Sequence, residues 1–454
     1  MERRHRVVVV GAGFGGLAVL RSLESVPVDL VMIERNNFHT FQPLLYQVAT
    51  AGLDSDDIAY PLRGIASHRN AQTEVRMGSV RSVDLAAGIV HLDEGQPVEY
   101  DQLVLAAGAV SATFNIPGVE QHAFGLKTLE DALSLRSHVL RQFERATVDP
   151  SLIDSGGLTV VIAGGGPTGV EMAGGLVELF ENVLSRDFPT LDIHRARVVI
   201  VEPGARLLAS FRAKLGDLAR RTLTSRGVEV ALGVGVAATD GKVVELTDGT
   251  RIPAGTLVWT AGVRANPLAE CIAEQLGADS LTRGGRIRVE DDLSVPGHPE
   301  VYVIGDLAGF SDTNGELLPQ LAPVAIQQGE HVGALIKAQV SGGVVKDFRY
   351  RDKGSMATIG RHAAVAQLPG GLRLSGFPGW LAWLGLHLVM LIGFRNRVNV
   401  LVNWAWNYFT YDRASRLILE SPSKEVHVSE DLSPVDRSSE DAGAEEGRGD
   451  PPVN

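Results

Sequence analysis

Cysteine is almost missing from this chain, since Cys271 is the only one among 454 residues. A single cysteine excludes an intramolecular disulfide and an iron–sulfur cluster held by cysteines, because each needs at least two thiolates. It equally excludes an oxidoreductase that passes electrons through a pair of neighbouring cysteines. The twelve histidines form no cluster with metal-ligand spacing, so we expect no metal site.

Segments that would direct the chain out of the cytoplasm or onto nucleic acid are also missing. The first strand begins at about residue 6, which leaves no room for the apolar core of a signal peptide. We therefore expect the catalytic body to stay on the cytoplasmic side. No basic arm interleaved with aromatic residues occurs, so nucleic acid is not an expected partner.

Length and charge outline the domains. A chain of 454 residues that is 44% hydrophobic predicts two or three domains with well-filled cores. The net charge of −12 is unevenly placed, because residues 345–418 carry ten Lys or Arg against three Asp, and 419–454 carry three against ten acidic residues. The composition of 419–454 predicts a disordered acidic tail, to which we assign no function.

The chain contains two copies of one glycine-rich pattern. The first is G-x-G-x-x-G at Gly11, Gly13 and Gly16, directly after an apolar strand, and the next strand ends at Glu34. Such a turn brings backbone N–H groups and a helix N-terminus to a pyrophosphate, while the acid binds ribose hydroxyls. The first copy therefore predicts a dinucleotide site.

The second copy places Gly164, Gly166 and Gly169 after another apolar strand, and its acid is Glu202. The acid lies 38 residues after the first glycine, against 23 in the first copy, because a longer connection intervenes. An acid there repels a 2′-phosphate and favours NADH over NADPH, although Arg206 nearby leaves the strictness open. Two such signals predict an α/β fold with two Rossmann-like dinucleotide-binding domains.

Three further strands end in small or acidic residues. Two of them lead into A-G pairs, Ala107-Gly108 and Ala261-Gly262, and a third leads into Gly305-Asp306. Ligands bind at the carboxyl ends of strands in such sheets, so Asp306 is expected to accept a hydrogen bond from a cofactor hydroxyl. The alternative is a turn aspartate that caps the next helix.

The order of these motifs resembles the two-dinucleotide flavoprotein disulfide reductase superfamily. The resemblance implies FAD on the first unit, NADH on the second, and Asp306 beside the ribityl chain of the flavin. It also implies a discontinuous FAD domain with an NADH domain inserted in it. The apolar segments that follow predict a C-terminal membrane-associating region. The predicted bounds are 1–118 and 293–344 for FAD, 119–292 for NADH, 345–418 for the membrane region and 419–454 for the tail.

Within that superfamily, residues 1–418 resemble the type II NADH:quinone oxidoreductases, single-subunit respiratory enzymes that do not pump protons. The most specific segments are 41–49, 166–171, 321–328 and 352–360. The resemblance implies hydride transfer from NADH to FAD, then two electrons and two protons to menaquinone or ubiquinone. The family's quinone motif, A-Q-x-A-x-Q, is altered here because Pro323 follows Ala322, and Gln327 alone matches the second glutamine.

The resemblance supplies the expected site residues. Glu171 and Gln327 are the catalytic candidates, and Ala322, Ala325 and Gln327 are expected at the quinone. Glu171 is otherwise a partner of the helix dipole, and Gln327 an ordinary helix amide. The residues expected to bind the two cofactors are Gly11, Gly13, Phe14, Gly15, Gly16, Glu34, Arg35, Pro43, Leu44, Val80, Ala107, Gly108, Gly164, Gly166, Pro167, Thr168, Gly169, Glu202, Ala261, Gly262, Gly305 and Asp306.

The C-terminal region predicts peripheral attachment to the cell membrane. The uncharged run 377–394 offers about 16 helical residues, or roughly 24 Å, which is short of a roughly 30 Å hydrocarbon core. The four asparagines that follow form one polar stripe on an amphipathic helix. Tryptophans and arginines expected at headgroup level are Trp380, Trp383, Trp404, Trp406, Arg373, Arg395, Arg397, Arg413 and Arg416.

Other interpretations stay open at this point. The apolar helices also fit a buried hairpin, a homodimer interface or a single membrane span. The whole chain also fits an FAD/NAD(P)H oxidoreductase with another acceptor, or a slow redox-sensing protein that binds both nucleotides. The single cysteine argues against a sulfide:quinone enzyme, which works through a cysteine pair.

Overall fold

The computed structural model describes residues 4–69, 73–410, 413 and 415–419. Its largest sheet begins with the first apolar run of the chain, whose residues 7–10 are buried. Burial on both faces is what a mostly parallel sheet covered by helices requires. The six strands lie in the spatial order Ser294–Val295, His298–Val303, Gln102–Leu105, Arg6–Val10, Asp29–Glu34 and Glu74–Met77.

A second sheet is built around the second glycine signal. Its five strands pair in parallel, in the order Ala123–Phe124, Thr256–Trp259, Thr159–Ala163, Arg197–Glu202 and Glu229–Leu232. In both sheets the glycine turn follows an interior strand, and the acid ends the strand beside it. The fold prediction of two Rossmann-like units is thereby confirmed.

Smaller antiparallel and mixed sheets surround these two. They are Phe38–Thr40 with Ala59–Pro61; Val80–Asp84, Ile89–Leu92 and Val98–Glu99; Ala109–Ser111 with Val263–Ala265; Val236–Thr239, Val243–Leu246 and Arg251–Pro253; Leu281–Thr282, Arg286–Arg288 and Ala308–Gly309; and Ser355–Thr358, Ala364–Gln367 and Arg373–Ser375. The last of these carries the C-terminal helices.

The α-helices cover the sheets and close the chain. In chain order they are α1 (Phe14–Ser22), α2 (Leu45–Ala49), α3 (Ser55–Ile58), α4 (Leu62–Arg69), α5 (Val119–His122), α6 (Leu129–Val148), α7 (Ser151–Asp154), α8 (Pro167–Leu179), α9 (Ser185–Asp187), α10 (Ala213–Thr224), α11 (Leu268–Leu276), α12 (Ala322–Ser341), α13 (Gly376–Met390) and α14 (Phe394–Thr410).

Helices α1 and α12 approach each other through glycine. A Cβ built on Gly329 would lie 2.3 Å from the carbonyl oxygen of Gly15, and one on Gly333 would lie 2.3 Å from the Cβ of Ser22. At distances this short, a side chain at either glycine would force the two helices apart. The contact brings the N-terminus of α12 beside the first glycine turn.

The polar stripe of α14 faces the protein. Asn396 Nδ2 donates to the carbonyl oxygens of Asp56, Asp57 and Ala59 at 3.1–3.2 Å. Asn403 Nδ2 donates to Asp57 Oδ2 at 2.7 Å, and Asn407 Nδ2 donates to Gly52 O at 2.9 Å. The amphipathic helix predicted from the asparagine spacing therefore turns its polar side inward.

The opposite faces of α13 and α14 are apolar and exposed. Val389 is 67% exposed and Phe409 80% exposed. Other exposed members of this apolar face are Phe377, Leu381, Leu386, Met390, Phe394, Val398, Leu401, Val402 and Trp406. Within the described residues, none of the helices has the length and apolar character needed to cross a membrane.

The prediction that the C-terminal tryptophans and arginines lie at the level of lipid headgroups is wrong for two residues. Trp383 is 1% exposed, because it lies on the inner side of α13 with its ring 6.3 Å from that of Tyr46. Arg413 has only 12% of its side chain exposed, and its Nη2 lies 3.1 Å from Glu178 Oε2. Trp406, by contrast, lies on the exposed apolar face. The predicted acidic tail lies outside the described residues apart from Leu419.

The α1–α12 contact gives the first prediction. Gly329→Ala should destabilise the fold by roughly 1–3 kcal/mol, because the added methyl meets a backbone carbonyl that cannot turn aside. A lower thermal unfolding midpoint would show it. Gly385→Ala in α13 is the matched control, since a Cβ there meets nothing within 4 Å. Equal midpoints for both variants would contradict the close contact.

Candidate functional site

The first glycine turn is shaped by backbone contacts. Gly11 has φ +100°, and a Cβ there would lie 2.4 Å from Ala106 O. A Cβ on Gly16 would lie 1.9 Å from Gly11 O, so α1 rests directly on the turn. A Cβ on Gly13 would meet nothing within 4 Å. Two glycines are thus required by packing, while the third leaves open space in front of the helix N-terminus.

The second turn repeats this arrangement. Gly164 has φ +109°, and its Cβ would lie 2.9 Å from the backbone of Ala261. A Cβ on Gly169 would lie 2.0 Å from Gly164 O, and one on Gly166 would meet nothing within 4 Å. Both turns therefore leave room for a phosphate group at the N-terminus of a helix.

The two acids also hold equivalent positions. Glu34 Oε2 accepts a hydrogen bond from Ala12 N at 2.7 Å, within the first turn. Glu202 Oε2 accepts one from Gly165 N at 2.7 Å, within the second. A carboxylate has about four lone-pair sites, so each acid can still accept hydrogen bonds from ribose hydroxyls.

A cavity of 610 Å³ joins the first turn to the second unit. Its volume lies within the roughly 300–1,000 Å³ typical of small-molecule sites. The predicted residues that line it are Gly11, Gly13, Phe14, Gly15, Glu34, Arg35, Pro43, Val80, Ala107, Gly108, Thr168, Glu171, Gly262, Gly305, Asp306, Ala322 and Ala325. The predicted residues outside its lining are Gly16, Leu44, Gly164, Gly166, Pro167, Gly169, Glu202, Ala261 and Gln327.

Asp306 lies in a short turn, Gly305–Leu307, at the edge of this cavity. Lys127 Nζ lies 3.1 Å from Asp306 Oδ2, and Gln320 Nε2 donates to Asp306 O at 3.0 Å. Gln328 is buried, and its Oε1 accepts from Gly305 N at 2.7 Å. The sequence analysis missed Lys127, Gln320 and Gln328, because no sequence motif connects them with Gly305 or Asp306.

Glu171 lies in the second turn of α8 and is buried at the cavity wall. Burial raises the pKa of Glu171 to about 8, while the N–H of Thr358 and the side chain of Trp383 act to lower it. Thr358 N lies 3.3 Å from Glu171 Oε1. A carboxyl enclosed in this way is mostly protonated at neutral pH, which does not fit an exposed partner of a helix dipole.

Gln327 lies on α12 but turns away from the cavity. Its Nε2 donates to the carbonyl oxygens of Pro323 and Arg351, at 3.2 and 3.0 Å. Its Oε1 accepts from Arg351 N at 3.0 Å. These bonds tie α12 to the loop after it. The role of Gln327 at the quinone stays a prediction, whereas Ala322 and Ala325 do face the cavity.

A smaller cavity of 120 Å³, here called the aromatic pocket, lies between the C-terminal helices and α2 and α8. Its rings come from Tyr46, Trp380, Trp383, Trp404 and Tyr408. Tyr46 is the described residue that lines both this pocket and the large cavity. The sequence analysis placed these tryptophans at a membrane surface, and it missed that their rings line this pocket.

His387 supports this wall. Its ring stacks on Trp383 with centroids 4.0 Å apart, and its Nδ1 lies 2.7 Å from Trp383 O. Burial lowers the pKa of His387 to about 4. The imidazole therefore stays neutral at physiological pH and acts as a packed ring with one hydrogen bond.

Known proteins share this architecture. Residues 5–329 match the family model of pyridine nucleotide-disulphide oxidoreductases, and residues 353–411 match the NDH2 C-terminal domain. The type II NADH:quinone oxidoreductase Ndh of Mycobacterium tuberculosis is 40% identical over 430 residues, which cover 92% of this chain and 91% of that protein.

Solved structures agree on the fold. NDH2 from Plasmodium falciparum in complex with NADH has a TM-score of 0.85 at 19% identity, covering 92% of this chain and 100% of that chain. The sulfide:quinone oxidoreductase of Aquifex aeolicus has a TM-score of 0.67 at 17% identity, covering 92% and 96%. At these identities the likeness concerns the fold alone.

The comparisons confirm three predictions made from the sequence: FAD and NADH as cofactors, an oxidoreductase activity, and a quinone as the electron acceptor. The two glycine turns have the same geometry, and residues of both units reach one cavity. Relatives match nearly the whole chain. The chain belongs to the type II NADH:quinone oxidoreductases.

Proposed function

We propose that FAD and NADH extend from the two glycine turns and meet in the 610 Å³ cavity. The observation that carries this proposal is that Thr168 and Glu171, from the second unit, line the same cavity as Gly13 and Asp306 from the first. When bound, the flavin accepts a hydride from the nicotinamide and returns two electrons to a quinone. The protein supplies binding, orientation and a proton-carrying group.

The proposed domains follow the sheets. Strand His298–Val303 pairs with Gln102–Leu105 in the first sheet, which supports an FAD domain made of 1–118 and 293–344. Ala123–Phe124 pairs with Thr256–Trp259 in the second sheet, which supports an inserted NADH domain at 119–292. Residues 345–418 then form the C-terminal region that carries α13 and α14.

The residues present fit both cofactors. Gly13 and Gly166 leave the space through which a pyrophosphate approaches a helix N-terminus. Glu34 and Glu202 stand beside these turns as ribose acceptors, and the charge of Glu202 supports NADH rather than NADPH. Asp306, held by Lys127, supplies a further acceptor at the cavity edge.

Glu171 is the proposed proton carrier for quinone reduction. It is buried beside the cavity and holds its proton at neutral pH, since its pKa is raised to about 8. Reduction of a quinone consumes two protons, so a protonated group at the wall assists as a general acid. Ala322 and Ala325 provide a small, apolar surface for the quinone ring.

The exposed apolar face of α13 and α14 is the proposed contact with membrane lipid on the cytoplasmic side. Side chains of this kind enter the boundary between headgroups and acyl chains, and attach a protein without crossing the bilayer. Exposed Arg373 and Arg395 lie next to this face and suit anionic lipid. A homodimer built on the same face is the competing arrangement.

Matched glycine variants test where each cofactor binds. Gly13→Val should yield protein without bound flavin, because the side chain takes the space of the pyrophosphate. Gly166→Val should purify with flavin yet lose reduction by NADH, because only the second turn is filled. The flavin absorbance of the purified proteins measures flavin binding, and anaerobic bleaching by NADH measures reduction of the flavin. A fully yellow Gly13→Val protein would contradict the assignment.

Glu171→Gln tests proton delivery in anaerobic stopped-flow experiments. Flavin bleaching by NADH should change by less than about 3-fold, and reoxidation by a short-chain quinone should slow by roughly 100-fold. In the unmodified protein, reoxidation should fall as pH rises through about 8, where Glu171 loses its proton. The variant should show no such decline.

Two outcomes would count against these proposals. Equal rates and equal pH profiles for the Glu171→Gln variant would remove the carboxyl from the mechanism. Bleaching by NADH without reoxidation by any quinone, in the unmodified protein, would contradict the quinone reaction itself.

Charged residues on the exposed apolar face test membrane attachment. Val389→Asp with Phe409→Asp should lower partitioning onto washed membranes by roughly 100-fold or more, since two apolar side chains no longer enter the lipid. Val148→Asp is the control, because Val148 is 88% exposed at the end of α6. Unchanged sedimentation of the double variant, with a dimer becoming a monomer, would favour the homodimer interface.

A further inference from the structure

Tyr46 occupies a particular place in the site. It lies on α2, is 6% exposed, and belongs to the walls of both the large cavity and the aromatic pocket. Its ring meets Trp383 edge to face, and its backbone carbonyl accepts from Thr50 Oγ1 at 2.9 Å. These contacts hold the ring and the backbone in place, so the hydroxyl is the group of Tyr46 through which a ligand would interact.

A chain of hydrogen bonds fixes the direction of that hydroxyl. Trp404 Nε1 donates to Gln47 Oε1 at 2.7 Å. An indole N–H can only donate, so the amide of Gln47 must present its oxygen to Trp404 and its nitrogen to the other side. Gln47 Nε2 accordingly donates to the hydroxyl oxygen of Tyr46 at 2.9 Å. Tyr46 is thus the acceptor in this contact and keeps its own proton for another partner.

Among the described residues, no hydrogen bond is donated by the Tyr46 hydroxyl. A buried donor left without an acceptor costs free energy. Because Tyr46 lies at the wall of the large cavity, a ligand bound there can bring the acceptor oxygen that this hydroxyl lacks.

We propose that Tyr46 donates a hydrogen bond to a carbonyl oxygen of the quinone, and that Gln47 and Trp404 are positioning residues for that bond. The inference rests on the proposed NADH:quinone function and adds a residue to it. It concerns the acceptor's binding and orientation, and the proton of Tyr46 stays on the hydroxyl oxygen.

The surroundings favour a quinone over a flavin carbonyl. On one side of Tyr46, the large cavity carries Ala322 and Ala325, the proposed surface for the quinone ring. On its other side, the aromatic pocket presents the rings of Trp383, Trp404 and Tyr408. The helices that carry these rings turn their other faces outward as exposed apolar surface. A lipophilic carbonyl compound bound beside these rings would contact Tyr46, which also lines the large cavity.

Tyr46→Phe removes the hydroxyl and keeps the ring against Trp383. We expect the KM for a short-chain ubiquinone to rise about 3- to 10-fold, the loss of one hydrogen bond. The dissociation constant of the same quinone, from tryptophan fluorescence quenching in the oxidised protein, should rise equally. Flavin content and the rate of flavin bleaching by NADH should match the unmodified protein.

Tyr100→Phe is the matched control. Tyr100 is 7% exposed, its hydroxyl has no hydrogen-bond partner, and it lies outside the lining of both cavities. This variant also removes a buried hydroxyl, so any general effect of that loss on stability appears in both proteins. Only Tyr46→Phe should change the two quinone parameters.

Trp404→Phe tests the orientation argument with Tyr46 intact. Without the indole N–H, the Gln47 amide can turn its oxygen toward Tyr46 and take up the proton of the hydroxyl. Quinone binding should then weaken in the same direction as in Tyr46→Phe. The double variant should be no weaker than Tyr46→Phe alone, because both changes remove the same hydrogen bond.

The outcomes separate the possible partners. Quinone parameters of Tyr46→Phe equal to those of Tyr100→Phe would overturn the inference. So would a loss of flavin or slower bleaching by NADH with unchanged quinone binding, because the hydroxyl would then serve the flavin. Failure of every quinone to reoxidise the unmodified, NADH-reduced protein would reject the proposed function and this inference together.

Discussion

The close approach of a helix to a backbone carbonyl, made possible by glycine, is the contact on which the rest of this structure depends. It occurs at Gly16 against Gly11 O, at Gly169 against Gly164 O, and at Gly329 against Gly15 O. The first two place a helix N-terminus directly behind each turn. The third brings α12 beside the first turn, so that Ala322 and Ala325 reach the cavity. A single methyl group at any of these glycines would separate elements that must touch.

Local patterns predicted the parts of the site that local geometry builds. Each glycine turn, the strand before it and the acid on the next strand lie within one βαβ unit, where spacing and hydrophobicity are visible in the sequence. Glu171 was reached through family resemblance rather than through any pattern of its own. Its pKa is raised by burial and lowered in part by Thr358 and Trp383, which lie far along the chain, so its protonation state could not be predicted from neighbouring residues.

For the C-terminal helices, the sequence could not predict which side of each helix faces the protein. A helical repeat of asparagine identifies an amphipathic helix, but it does not say which side faces the protein. Here Asn396 and Asn403 bind the backbone and carboxylate of α3, and the apolar side is left outside. The tryptophans of these apolar segments were predicted to lie at a membrane surface. Trp383 instead lies inward, because it packs against Tyr46 of α2.

The burial of Glu171 has a consequence for how the protein is made. The two nucleotide units lie ahead of α13 in the chain, so they leave the ribosome before Trp383 can cover the carboxyl group. Until α13 docks, the carboxyl group of Glu171 lacks its contact with Trp383. A nascent chain that has already folded both sheets therefore still has an incomplete cavity wall beside Glu171. Completion of the site therefore requires the helices that carry the exposed apolar face.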